Sequence, residues 1–194
     1  MIEVSKSFIH WNYFLAIESD LENLSRYIEF SEANFNTYSI ELAHLLLASS
    51  SEIDVVLKEL CSLLSPEEKK RNINDYRKII KGKLPEFANE SIYINRFSIC
   101  VKPWDNWNGD NNPDWWESYS NVKHQRNLYF DQANLGNTIR SVGGLLIASY
   151  YYYKKLFERE SGITLEPKKV TEKLHQKSKF VQLNSAFYYD IVVN

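Results

Sequence analysis

The stretch LASSSEIDVVLKEL, from Leu47 to Leu60, decides how the chain divides into elements. Three consecutive serines look like a break between two short helices. The apolar phase argues against a break. Ala43 and Leu46 before the serines, and Ile53, Leu57, Leu60 and Leu64 after them, share one face at helical spacing. The spacing predicts one helix over about 38–64, with a small, polar notch where Ser50 meets the apolar stripe.

Working outward, Phe14, Ile17, Leu21, Leu24 and Ile28 repeat at three and four, which predicts a first helix over about 7–30. Phe8, Trp11 and Leu15 widen its stripe, and Thr37 can cap the helix that follows. Ser65-Pro66-Glu67-Glu68 reads as a capping box opening a third helix, which ends near Gly82. Between 84 and 113 the composition changes. Ser91–Val101 reads as one or two short strands, and the Asn-, Asp- and Gly-rich run from Trp104 to Pro113 as a loop. This segment is too short for a core of its own, so it is an insert. A fourth helix starts at Asp114 and ends near His124. A long fifth covers about 131–160, with Leu135, Ile139, Val142, Leu146, Tyr153 and Leu156 near one face. Gly143-Gly144 inside it costs roughly 1 kcal/mol per glycine relative to alanine, and close approach of a neighbouring helix is the expected compensation. A basic tail follows from about 163, with Phe187–Val193 as a last strand. The fold class expected is therefore mainly α: an up-and-down bundle of about five helices with a small strand-containing insert, in one domain over 1–194.

With 23 basic and 25 acidic side chains, the net charge of −2 gives no global attraction to nucleic acid or anionic lipid. Any such contact must use a local patch. Val142–Ser149, the most apolar run, is too short to span a bilayer, and no secretory signal precedes Phe8. Cys61 and Cys100 read as reduced thiols of a cytoplasmic protein. Zinc spacing, a phosphate-cradling glycine loop and a nucleophile elbow are missing, so neither metal nor organic cofactor is expected. The run DNWNGDNN is not a calcium loop, because Trp107 takes its third position and the closing Glu is missing.

The densest stretch is WWESYSNVKHQRNLYF, Trp115 to Phe130. On a helix, Trp115, Tyr119, Val122 and Arg126 share one face, and Glu117, Asn121 and His124 share the next. Asn121, Lys123, His124 and Arg126 form the leading candidate site. The histidine can exchange protons near neutral pH, and the two cations can meet a phosphate. The plainer reading is a helix end whose cations suit the negative end of the dipole. A second cluster comes from Ser50, Asp54 and Lys58 at i, i+4 and i+8, with Glu18 beside the stripe of the first helix. These could bring two carboxylates and a lysine together in support of His124, with Tyr119 nearby. The plainer reading is a surface Asp54–Lys58 pair worth a few tenths of a kcal/mol. His10, on the apolar phase of the first helix, reads as a satisfied core histidine. Trp104, Trp107, Trp115 and Trp116 read as anchors of a long loop.

The run WWESYSNVKHQR followed by FDQANLGNTIRSVGGLLI, with the helix pair YFLAIESDLENLSRYIEFSEANFNTYSIELAHLLLASSSEIDVVLKELC, resembles the HEPN superfamily of helical domains. In particular it resembles bacterial abortive-infection and toxin-like members. The resemblance implies a homodimer, a bacterial defence or toxin-type role and RNA as a target, with a cognate protein partner. Many members are metal-independent endoribonucleases that carry an Arg, four to six further residues, then a His. For His124 that Arg would fall at Glu117, Ser118 or Tyr119, so the motif is absent, and Arg126 follows the histidine instead. Two functions follow: a variant ribonuclease using His124, Arg126, Lys123 and Asn121, or a noncatalytic helical module that binds a protein, RNA or nucleotide.

Overall fold

Helix α2 spans Ile40–Leu64 and passes through all three serines without interruption. The structure, a computed structural model, describes residues 7–189. Around α2 stand α1 (Ile9–Leu24), α3 (Ile73–Lys83), α4 (Asp114–Tyr129), α5 (Leu135–Ser161) and the short α6 (Pro167–Lys173). The only sheet among the described residues is the hairpin β1 (Ile92–Ile94) and β2 (Ile99–Val101), which pairs Ile92 with Val101 and Ile94 with Ile99. The fold is mainly α with a small strand-bearing insert, as the periodicity indicated.

The central contact joins α2 to α5, and it explains the serines. Ser49, Ser50 and Ser141 are all fully buried. Ser141 Oγ lies 2.6 Å from Ser49 Oγ and 2.8 Å from Ser50 Oγ, and Ser49 Oγ donates to the Leu45 carbonyl at 2.6 Å. A donor order from Ser50 to Ser141 to Ser49 to the carbonyl satisfies all three hydroxyls. The notch is thus where small side chains let two helices touch, while hydrogen bonds offset the cost of burying polar groups.

The direction of packing follows from paired positions. Tyr38 bridges Asn134 just before both helices begin, and Thr138 Oγ1 donates to the Leu42 carbonyl at 3.2 Å. With Ser141 beside Ser49, α2 and α5 run the same way. Helix α1 runs opposite to them: His10 meets Glu52, and Leu24 lies near His44. Helix α4 also opposes α5, since Trp115 packs near Gly144 while Asn121 reaches Gln132.

Several boundaries differ from the periodic reading. Helix α1 stops at Leu24, and the chain then turns so that Phe30 packs between Phe97 and Phe180. Ser39, rather than Thr37, caps α2, accepting from Leu42 N at 3.1 Å. The capping box at Ser65 opens no helix. Ser65 closes α2, and α3 starts at Ile73 under an Asn72 cap that accepts from Asn74 N and Asp75 N. The reason is burial. Glu67 to Arg71 offers no apolar side chain, whereas Ile73, Tyr76, Ile79 and Ile80 are all buried. The basic tail contains α6, which periodicity did not reveal. The strand expected over 187–193 is replaced at 185–187 by a 3₁₀ turn, and its remainder beyond 189 lies outside the described residues.

Gly143 and Gly144 permit close approach, of the hairpin at Gly143 and of Trp115 of helix α4, with Trp104 of the insert, at Gly144. A Cβ at Gly143 would lie 2.6 Å from Ile92 Cγ1 of the hairpin, and one at Gly144 would lie 3.2 Å from the Trp115 ring. The insert therefore packs its strand and its tryptophans directly onto α5. Trp104, Trp107 and Trp115 are essentially fully buried, with indole bonds from Trp104 to the Gly144 carbonyl and from Trp115 to the Pro103 carbonyl. Two substitutions test this seam by urea denaturation. Ser141→Leu is expected to cost at least about 2 kcal/mol, from overpacking and orphaned hydroxyls. Gly143→Ala is expected to destabilise as well, although alanine is the better helix former by about 1 kcal/mol. Near-wild-type stability in either variant would show the seam to be loosely packed.

Candidate functional site at the end of α4

Val122 is the last buried residue of α4, and every residue from Lys123 to Leu128 is exposed. With no apolar face to hold it, the helix breaks at Gln125, whose backbone (φ −142°, ψ 48°) is not helical. The chain then continues through a 3₁₀ turn at Phe130–Gln132 into the Asn134 cap of α5. Side-chain amides staple this connection. Asn121 Nδ2 donates to Gln132 Oε1 at 3.0 Å. Asn137 Nδ2 donates to Ser118 Oγ at 3.0 Å and to the Gln132 carbonyl at 2.9 Å.

The four candidate side chains meet different surroundings, and the break at Gln125 re-aims the one that follows it, Arg126. Asn121 is engaged in the staple. Lys123 lies along α4, donating from Nζ to the Tyr119 hydroxyl at 3.1 Å and covering the Tyr119 ring. That hydrogen bond raises the pKa of the Lys123 ammonium, with a smaller contribution from Asp54. Arg126 lines a groove of about 590 Å³ with Asn127, Phe130, Ile40, Ala43 and His44. His124 is exposed and takes no hydrogen bond or ion pair among the described residues.

The supporting residues separate as well. Asp54 faces the Tyr76 hydroxyl and Lys123 rather than pairing with Lys58, which is exposed and carries no ion pair among the described residues. Burial, followed by the charge of Asp54 and its hydrogen bond, raises the pKa of the Tyr76 phenol. Glu18 does not join this cluster. It is buried at the opposite side of α1, where its carboxylate accepts from Ser178 Oγ and from the backbone N–H groups of Lys179, Phe180 and Val181. The apolar flank that Glu18 occupies is thus covered by the C-terminal segment, and the expected convergence of Glu18 with Asp54 and Lys58 does not form. His10 has a partner: its Nδ1 lies 2.6 Å from Glu52 Oε1, with the Tyr152 ring edge-on at 5.3 Å.

His44 is the residue that sequence reasoning passed over. It sits one turn into α2, side chain 60% exposed, 3.5 Å from Glu41, and lines the same groove as Arg126. No local signal marks it, because only the bend at Gln125 brings Arg126 over α2. The surroundings are apolar: Ile40, 64% exposed, lines the groove with Ala43 and Phe130, and Tyr38 packs edge-on against Phe130. The α5 N-terminus beside this site is not available to an anion. Leu135 N, Gly136 N and Asn137 N are already bound to Thr37 O, Phe35 O and Asn134 Oδ1. Among the described residues no group of three His, Cys, Asp or Glu side chains is placed to hold a metal ion, and no helix is long and apolar enough to cross a membrane.

Comparison of the chain with protein-family models, with curated proteins and with solved structures finds no match. The geometry of the α4 end therefore carries the functional argument. If the amide staple positions it, Asn137→Ala should cost about 1–3 kcal/mol by leaving the Gln132 carbonyl and Ser118 hydroxyl short of a donor. It should also speed amide exchange over residues 125–133. Unchanged exchange there would mean that the backbone alone holds the bend.

Proposed function

We propose that this chain is an HEPN-like helical domain that acts on RNA at the α4 end, as a metal-independent endoribonuclease of a bacterial defence or toxin-type system in the cytoplasm. The observation that carries the reading is the groove that Arg126 and His44 line together at the α4 end, where His124 is exposed. In cleavage the 2′-oxygen attacks phosphorus, the 2′-O–P bond forms and the P–O5′ bond breaks. One imidazole takes the 2′-hydroxyl proton, and a second, protonated imidazole gives a proton to the 5′-oxygen. His124 and His44 supply these two groups. Arg126 neutralises the charge that builds on the phosphorane oxygens, while Lys123, bound to Tyr119, and Asn121, bound to Gln132, hold the end of α4 around it.

The exposed apolar rim of Tyr38, Ile40 and Leu128 supports a homodimer formed beside this groove, bringing two copies of the site together. Sedimentation at micromolar concentration is expected to give twice the chain mass of 22.9 kDa. A second reading has its own support. Among the described residues His124 has no partner that orients it, and the groove residues Ile40, Ala43 and Phe130 suit a cognate protein as well as RNA. In that case the domain is a noncatalytic binding module.

Cleavage of structured RNA in EDTA separates the two. For the enzyme, wild type cleaves, and His124→Ala, Arg126→Ala and His44→Ala each lose at least about 100-fold while remaining folded, the scale of general acid–base catalysis. RNA left intact by wild type, with variants that only weaken binding, rejects the enzyme and leaves the binding module.

A further inference from the structure

Away from the α4 end, β1 and the segment after α6 enclose another groove, of about 460 Å³. Its frame is firmly held. Tyr93 and Gln182 exchange two backbone hydrogen bonds, each 2.8 Å long. The buried Glu18 carboxylate grips residues 178–181 through three backbone N–H groups and the Ser178 hydroxyl. Tyr188 Oη accepts from Leu183 N at 3.1 Å. Glu18 is therefore engaged in holding the frame, and among the described residues none of the side chains lining the groove is acidic.

Three kinds of group meet there. The first is aromatic: Tyr93, Tyr188 and Tyr189 form walls. Tyr189 is 69% exposed, and neither it nor Tyr93 stacks on another ring among the described residues. The second is amide. Asn95 Nδ2 donates to Gln182 Oε1 at 2.8 Å, which leaves the Gln182 NH₂ and the Asn95 carbonyl oxygen as an adjacent donor and acceptor. The third is cationic. Among the described residues Lys177 is the one charged side chain of the lining, held over the Tyr188 ring at 6.0 Å, and exposed Lys173 and Lys179 flank it in the chain. Exposed rings, an adjacent amide donor and acceptor and an ammonium are what a nucleotide presents surfaces for: a base face, a base edge and a phosphate.

We propose that this groove binds a nucleotide unit, with the base against Tyr189, its edge on the Asn95–Gln182 amides and its phosphate at Lys177. The groove stands apart from the α4 end and does not depend on any activity there. Two sources share this chemistry, a free nucleotide and one residue of a single strand.

Fluorescence anisotropy with a labelled short oligouridine, in EDTA and with the full chain, tests the assignment. The protein carries His124→Ala and Arg126→Ala, so that the α4 end contributes little. Tyr189→Ala, at an exposed position outside the core, is expected to weaken binding about tenfold, as loss of one stacked base does. Lys177→Ala should flatten the salt dependence by about 0.7 in the log–log slope, as loss of one single-strand phosphate contact does. Competition then names the source. Uridine monophosphate displacing the probe supports a free nucleotide, and displacement by unlabelled strand alone supports single-stranded RNA. Binding that is indifferent to both groove substitutions would overturn the proposal. So would no binding of either ligand at about 1 mM, where specific recognition is marginal. Loss of RNA cleavage or binding at the α4 end leaves these groove readouts unchanged, so the two sites fail separately.

Discussion

The contact of Ser141 with Ser49 and Ser50 is the constraint on which the rest of the molecule depends. Three small, hydrogen-bonded side chains let α2 and α5 approach as parallel neighbours. A larger residue at any of the three would push the pair apart. With the pair fixed, α5 can receive the hairpin at Gly143 and the tryptophans at Gly144 on its other side. It can also receive α4 along the row from Trp115 to Asn121. The end of α4 is held against the start of α5 by Asn121, Gln132 and Asn137, so the position of His124 and Arg126 traces back to this seam.

Polar groups, and not only apolar area, set the architecture. The C-terminal segment is tied to α1 by one buried carboxylate, Glu18, whose backbone partners satisfy it without a cation. Glu90 is half-buried beside Tyr151: burial raises its pKa, and the Tyr151 hydroxyl donates to it at 2.7 Å. Cys61 is enclosed in the core, which pushes its thiol up to about 12 and removes it from thiolate chemistry, while Cys100 is exposed.

The helices were legible in the sequence because their apolar phase is long: α2 and α5 read correctly through three serines and two glycines that would otherwise mark breaks. The failures have a common cause. Ser65-Pro66-Glu67-Glu68 carries a strong local start signal, yet no apolar surface follows it until Ile73, and burial overrode the cap. Gly143 and Gly144 did mark a close approach, but the sequence does not say which element approaches. At the α4 end the cluster of Asn121, Lys123, His124 and Arg126 was visible as residue types. Their separate surroundings were not, because Asn121 and Lys123 are taken up by Gln132 and Tyr119 and Arg126 follows the one non-helical residue, Gln125. His44 was invisible for the same reason, and Glu18 was misplaced because covering of its helix face by a segment about 160 residues away has no local signature.

The account makes the α2–α5 seam the last part of the molecule to open and the α4 end one of the first. Native-state hydrogen exchange followed residue by residue in low denaturant measures both. Amides of residues 45–50 and 138–148 are expected to exchange only through global unfolding, with the same denaturant dependence as the whole chain. Residues 123–130 are expected to exchange through local opening at far lower free energy. Seam amides that exchange by local opening, independently of global stability, would contradict the claim that this contact organises the fold.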